Sequence, residues 1–387
     1  MKHKIFEFID KKKLEIIEMS DYIFDNPELG GEEYRAVGLL TSYLSANGFK
    51  IEMPLAGLNT AFRAVYESGE NGPSIGLLCE YDAIEGIGHA CGHHMQGPAI
   101  VYAAVSLKEI LKDRSYKIIV YGTPAEETFG GKIQMIKEGC FKDIDVALMM
   151  HAGPTTTTDV KSLALSNFIV NFHGISTHAA IKPEEGRSAL DGLLMLTNGI
   201  EFFREHVKDD VRIHYSIRDG GGPPNVIPKF ASGEFILRSY NRVYLDKVIE
   251  RFKKIVKGAA LITETEYEII NQKSMDNKIP VLSLNKILMD NAEHLEAPCI
   301  RPPREKTGST DFGNVMYLLP GSCIRVAFVP EGTSSHSEEY IQAGKSEEAH
   351  RAEVLATKIL AGSAYDLIVN EDLLDEVQKE FVRNKNM

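Results

Sequence analysis

Ser74-Ile-Gly-Leu-Leu-Cys-Glu-Tyr81-Asp82-Ala-Ile-Glu-Gly-Ile-Gly-His89-Ala-Cys91-Gly-His93 is the stretch on which the reading of this chain turns. Its first eight residues form a nearly unbroken apolar run, the pattern of a strand covered on both faces of a sheet. The remainder brings a carboxylate, a thiol and imidazoles to the C-terminal end of that strand, where open α/β sheets bind their ligands. Comparable runs at 60–66, 116–122 and 146–150 predict further strands, with helical segments at 93–112 and 130–139 between them. Strands alternating with helices predict a three-layer α/β/α domain around a largely parallel sheet.

Outward from this core, amphipathic helices are expected at 4–25 and 31–47, ended by Asn26-Pro27 and Asn47-Gly48. The pattern changes near residue 163. A strand at 165–173, a helix at 188–207, strands at 211–218 and 231–240, a helix at 241–262 and a strand at 265–271 give the β-α-β-β-α-β order of a ferredoxin-like α+β domain. After Ile279-Pro280 the α/β style resumes with a helix at 280–295, a strand at 323–329, a helix at 346–370 and a polar tail. Ligand-type residues lie on both sides of the ferredoxin-like stretch. The expectation is a discontinuous domain of residues 1–163 and 275–387, interrupted by an inserted domain at 164–274.

Three strand ends carry the chemistry. Cys91 and His93 follow the first run, Gly122-Thr-Pro-Ala-Glu126-Glu127 the second and Met150-His151-Ala152 the third, with Ser335-His336-Ser337 far downstream. Thiolate, imidazole and carboxylate are the donors that a zinc-like divalent ion accepts, and a carboxylate beside a ligating one can act as base on an activated water. Each residue also has a plainer reading. Cys91 could be a small buried hydrophobe, Glu126-Glu127 a solvated helix start, His151 a hydrogen-bonded core histidine and His336 plain surface. His89, His94 and Asp311 carry no assignment from sequence.

Composition narrows the classes. The chain has 387 residues and a formal net charge of -12, which argues against nucleic acid and anionic membranes as partners. The N-terminal residues lack the apolar core of a signal peptide, and no apolar run reaches membrane-spanning length. Five scattered cysteines make no disulfide framework and fit a reducing cytoplasm.

Taken in order, Glu80-Tyr-Asp82-Ala, His-Ala-Cys91-Gly-His93, Gly-Thr-Pro-Ala-Glu126-Glu127, Gly174-x-x-x-His178-Ala-Ala-x-x-Pro183, Asn225-Val-Ile-Pro228 and Ser-His336-Ser resemble the M20 family of metallopeptidases and amidohydrolases. The resemblance is to the branch of aminoacylase-1-like protein 2 and the p-aminobenzoyl-glutamate hydrolase B subunit, and it runs over nearly the whole chain. It implies a di-metal catalytic domain with an inserted lid that also makes a homodimer. It implies Cys91, His93, Glu127, His151 and His336 as ligands of two divalent ions, zinc first and manganese or cobalt as alternatives, with Glu126 as general base and Asp82 orienting a ligand. His178 would help hold the scissile carbonyl, in cis or across the dimer, and Asn225 and Arg238 would bind the substrate carboxylate. The Asp-Ala-Leu-Pro usual in this branch reads Asp82-Ala-Ile-Glu here, and His94 stands where Asp or Asn is common. Three readings stay open: hydrolysis of the amide of an N-acyl amino acid or dipeptide, cleavage of an N-carbamoyl or similar C–N bond, and a non-catalytic binding protein on the same scaffold.

Overall fold

The computed structural model describes residues 1–305 and 307–386. The chain divides into two compact units. One comprises Met1–Lys161 and everything from Lys278 onward, the other Ser162–Asn277.

The first unit is built on a seven-stranded sheet. Its strands are β1 (Lys50–Glu52), β2 (Phe62–Ser68), β3 (Ser74–Cys79), β4 (Tyr116–Gly122), β5 (Val146–Gly153) and β6 (Thr157–Thr158), with β11 (Gly321–Ala327) arriving late in the chain. The spatial order is β1-β2-β4-β3-β5-β11-β6. The central pairs β4/β3, β3/β5 and β5/β11 are parallel, and the flanking pairs are antiparallel. Strands β3, β4 and β5 are buried over nearly their whole length, which is why their sequence shows apolar runs rather than alternation.

Helices surround this sheet: α1 (Lys2–Asp25), α2 (Tyr34–Ala46), α3 (Gln96–Ile110), α4 (Gly131–Lys137), α7 (Leu282–His294), α8 (Phe312–Leu318), α9 (Glu338–Ala343) and α10 (Glu347–Val369). Two apolar clusters fill the space, one gathering Ile5, Leu40, Ile100, Leu148 and Leu360, the other Leu78, Met135, Phe312 and Val315. The sequence reading needs one correction here. The segment expected to be a polar tail is α11 (Glu371–Lys385), which buries Leu374, Val377 and Phe381. The polar residues between them hide the spacing. Glu380 on this helix caps α7, accepting from the Leu282 and Ser283 N–H groups at 2.9 Å each. The short helices α8 and α9 also go beyond what the sequence pattern predicts.

The second unit is α+β. Its order is β7 (Ala164–His173), α5 (Ala189–Arg204), β8 (Arg212–Asp219), β9 (Phe230–Ser239), α6 (Arg242–Thr263) and β10 (Glu266–Met275). The antiparallel sheet runs β10-β7-β9-β8. Phe168, Phe172, Phe235 and Leu237 from the strands meet Leu193, Leu196, Leu245 and Phe252 from the helices in a core of its own. Strand β8 is the edge of this sheet and is exposed at all but one position.

Candidate metal centre

Strand β3 ends at the rim of the sheet and hands on to Glu80 and Asp82, both buried. The chain then turns at Gly92, whose φ of 82° lies in the left-handed region. A Cβ there would come within 2.8 Å of the Ala152 Cβ, so only glycine allows Cys91 and His93 to flank this turn. Strand β4 ends in Thr123-Pro124-Ala125, and Ala125, at φ 62°, aims Glu126 and Glu127 at the same rim. The Ala125 N–H donates to Glu33 Oε1 at 2.8 Å. Glu33 Oε2 in turn accepts from Gly31 N–H at 2.9 Å and Thr60 Oγ1 at 2.6 Å. His151 comes from β5. His336, at φ 64°, is tied to the Cys91 segment by its N–H, which donates to Ala90 O at 3.0 Å.

These side chains meet. Donor atoms of Cys91, His93 and His151 lie within 4.8 Å of one another, as do those of Cys91, Glu127 and His336, and those of His93, Glu126 and Glu127. Cys91 thus belongs to two triads, with its Sγ 3.5 Å from His151 Nε2. Asp82 organises the set. Its Oδ1 lies 3.0 Å from His93 Nδ1, and its Oδ2 accepts the Glu127 N–H at 2.9 Å. A proton on Nδ1 turns the His93 Nε2 lone pair to the centre. Among the described residues, His93 Nε2 and Glu127 Oε1 are buried without hydrogen-bond partners, although Glu80 Oε2 and His336 Nε2 approach them at 3.3 Å. Orphaned acceptor-type atoms pointing inward are what a cation would satisfy, so these donor groups fit zinc-like divalent ions.

Burial also shifts the titration of these groups. Burial pushes the Cys91 thiol up to about 12. Burial, with Arg325 nearby, brings His151 down to about 3. Burial, with Glu80 and Asp311 adding repulsion, lifts Glu126 to about 8. Glu80, Glu126 and Asp311 form a further acidic group, and a built-in cation fills it. The buried Lys132 Nζ lies 2.6 Å from Glu80 Oε1 and 2.7 Å from Asp311 Oδ1. Burial opposes charge on Glu80, but Lys132 and His93 outweigh it and hold the carboxyl well below its usual range.

A sequence match to the description "Peptidase family M20/M25/M40" covers residues 71–360. The chain belongs to this family. Over 98% of its length this M20 hydrolase is 33% identical to the Xaa-Arg dipeptidase of Mus musculus, covering 92% of that protein. It is 30% identical to the p-aminobenzoyl-glutamate hydrolase B subunit of Escherichia coli K12, over 97% of this chain and 95% of that one. Solved structures share the fold. An aminobenzoyl-glutamate utilization protein from Klebsiella pneumoniae matches with a TM-score of 0.72 at 19% identity, covering 93% of this chain and 97% of that one. A dinuclear metal-binding M20 peptidase from Bacillus subtilis matches with a TM-score of 0.70 at 17% identity, covering 93% and 99%.

In this M20 hydrolase the remaining sequence candidates fall in the second unit. His178 and Asn225 are exposed, and their loops are bridged: the Ala179 N–H donates to Asn225 O at 3.0 Å, and His178 pairs with Val226. Arg238 lies on β9, on the face opposite Phe235 and Leu237. His94 is buried with Nε2 2.9 Å from Gly344 O and its ring edge-on to Phe24, and burial brings it down to about 4. It takes no part in the donor triads. Glu33, Glu80, Lys132 and Arg325 receive no role from the sequence. Glu80 stands inside a motif quoted above, but nothing in a lone acid or base tells that it is buried.

Proposed function

We propose that this chain hydrolyses the amide bond of an N-acyl amino acid or dipeptide-like substrate. In this reading two divalent ions are held by Cys91, His93, Glu127, His151 and His336. The observation that carries it is Cys91 standing in two donor triads at once with Glu126 beside them. Zinc suits the thiolate best, and manganese or cobalt is compatible with the imidazoles and carboxylate. Ions bound there would supply positive charge that acidifies water and polarises a carbonyl.

The chain's own residues do the rest. Glu126, whose carboxylate stands beside the donors His93 and Glu127, accepts a proton from the attacking water and returns it to the leaving amine. Asp82 keeps His93 in the tautomer that presents Nε2. Glu33 fixes the left-handed Ala125 and thereby the direction of Glu126. His178 would stabilise charge on the scissile carbonyl, from its own subunit or a partner, and Asn225 and Arg238 would bind the carboxylate of the amino-acid half. The inserted unit serves as lid and as homodimer contact. Its open β8 edge, with Tyr215 and Ile217 exposed on it, supports that assignment. Unpaired cysteines support a cytoplasmic setting, and no helix among the described residues is long and apolar enough to cross a membrane.

The relatives' names diverge, one toward an arginine half and the other toward a glutamate half. The test is to reconstitute the protein with zinc, manganese and cobalt, measure bound metal, and assay dipeptides and N-acyl amino acids. Two ions per chain with no amide hydrolysed would end this reading.

A further inference from the structure

The cavity lined by Cys91, Glu127, His151 and His336, about 330 Å³ in volume, is also lined by Lys278, Arg304 and Arg325. Arg325 on β11 pairs in register with His151 on β5 in the parallel ladder. Both side chains therefore leave the sheet on the same face, about 5 Å apart. All three cations converge on one acid. Lys278 Nζ lies 2.6 Å from Asp159 Oδ2, Arg304 lies 2.6 Å from Oδ1 through both Nε and Nη2, and Arg325 Nε stands 3.6 Å from Oδ2. Asp159 is buried. Arg325 Nε is buried too and makes no hydrogen bond among the described residues.

One carboxylate neutralises one cation, and Arg304 and Arg325 alone outnumber it. Two guanidinium groups around one carboxylate leave local positive charge that favours a second anion beside them. A loop could be pinned by a single such pair, so two guanidinium groups on one carboxylate exceed what anchoring requires. The guanidinium fork suits a carboxylate better than any other small anion class except phosphate. Cys91, Glu126 and Glu127 line the same cavity, giving it an anionic part suited to metals and a cationic part suited to an anion. A substrate with a guanidinium or ammonium side chain would be repelled by the cationic part.

We propose that Lys278, Arg304 and Arg325 form an anion subsite that takes the side-chain carboxylate of an N-acyl glutamate- or aspartate-type substrate. The inference rests on the amide-hydrolase reading and selects the acidic substrate class within it. It is separate from Arg238, which is assigned to the α-carboxylate that every N-acyl amino acid carries.

The probes are N-benzoyl-L-glutamate and N-benzoyl-L-glutamine, which differ in side-chain charge at nearly constant shape, with N-benzoyl-L-arginine as the opposite charge. The metal-loaded protein should show kcat/KM for the glutamate at least about thirty-fold above the glutamine, with the arginine slowest, as expected for one desolvated charge-assisted contact. Arg304→Gln should bring the glutamate-to-glutamine ratio to within about three-fold, the loss falling on the glutamate. Arg304 has 38% of its side chain exposed, so this variant should fold. Arg325→Met should do the same, and a thermal melt checks that it folds. Calorimetric binding of the same pair to Glu126→Gln protein reads the preference without turnover. Amide hydrolysis with no acidic preference overturns the subsite and leaves the proposed function standing. Absence of hydrolysis with the glutamate preference intact in binding overturns the proposed function and leaves the subsite. Equal binding without hydrolysis overturns both.

Discussion

Two non-glycine residues in the left-handed region stand beside the candidate donors: Ala125 immediately before Glu126, and His336 itself. That region costs an L-residue roughly 1–2 kcal/mol, and the surroundings must hold it. Glu33 does so for Ala125, and the Ala90 carbonyl does so for His336. The carboxylate that Ala125 aims is the one on which turnover should depend. Glu126→Gln should keep bound metal and melting temperature while kcat falls about a hundred- to ten-thousand-fold, checked by metal analysis beside steady-state kinetics. A near-wild-type kcat would remove Glu126 from the mechanism. Gly92→Ala forces a methyl to 2.8 Å from the Ala152 Cβ at a φ of 82°. It should cost about 1–3 kcal/mol of stability and reduce metal retention, since Cys91 and His93 flank it. Unchanged melting would show that the turn can relax. At this scale the donors were legible because their types and spacing are chemically unusual. Glu33, Lys132 and Arg325 were not, because what distinguishes them is burial and the company they keep across the sheet.

Glu353 on α10 is wholly buried, and Ser20 of α1 is the one hydroxyl near enough to affect its carboxyl among the described residues. Burial pushes its pKa well above the ordinary value; Ser20 opposes this in part, and Asp21 adds a lesser rise. Folded, the group stays neutral; unfolded, it ionises above its ordinary value of 4.5. The unfolded state therefore binds fewer protons at neutral pH, and this group's contribution to stability, intact below pH 4.5, is lost as pH rises toward the folded pKa. Glu353→Gln should match wild type near pH 4 and melt a few degrees higher at pH 8. Equal melting at both pH values would show the carboxyl already ionised in the fold. Elements were read from sequence according to how they are covered. Strands β3, β4 and β5 announced themselves because both faces are buried, and β7 through its alternation. Helix α11 stayed hidden because its three buried residues sit among charges, and its anchoring through Glu380 to α7 is visible only in three dimensions.

On the scale of the whole molecule, the open β8 edge gives the dimer proposal a direct test. Light scattering at micromolar concentration should report twice the chain mass. Ser216→Pro, which removes a donor from β8 and restricts its backbone, should favour the monomer. A wild-type monomer would count against pairing through this edge. The division of the chain also bears on how it is made. The inserted unit is one continuous stretch, Ser162–Asn277, with its own apolar core. The outer sheet is still missing an interior member when that stretch emerges, because β11 enters between β5 and β6 only at Gly321–Ala327. His336 follows later still. During synthesis the insert can close while the seven-stranded sheet is still incomplete, and the candidate metal centre is among the last features finished. A chain halted before residue 336 would carry a folded insert and an incomplete set of candidate metal donors, a hazard that a contiguous domain order would avoid.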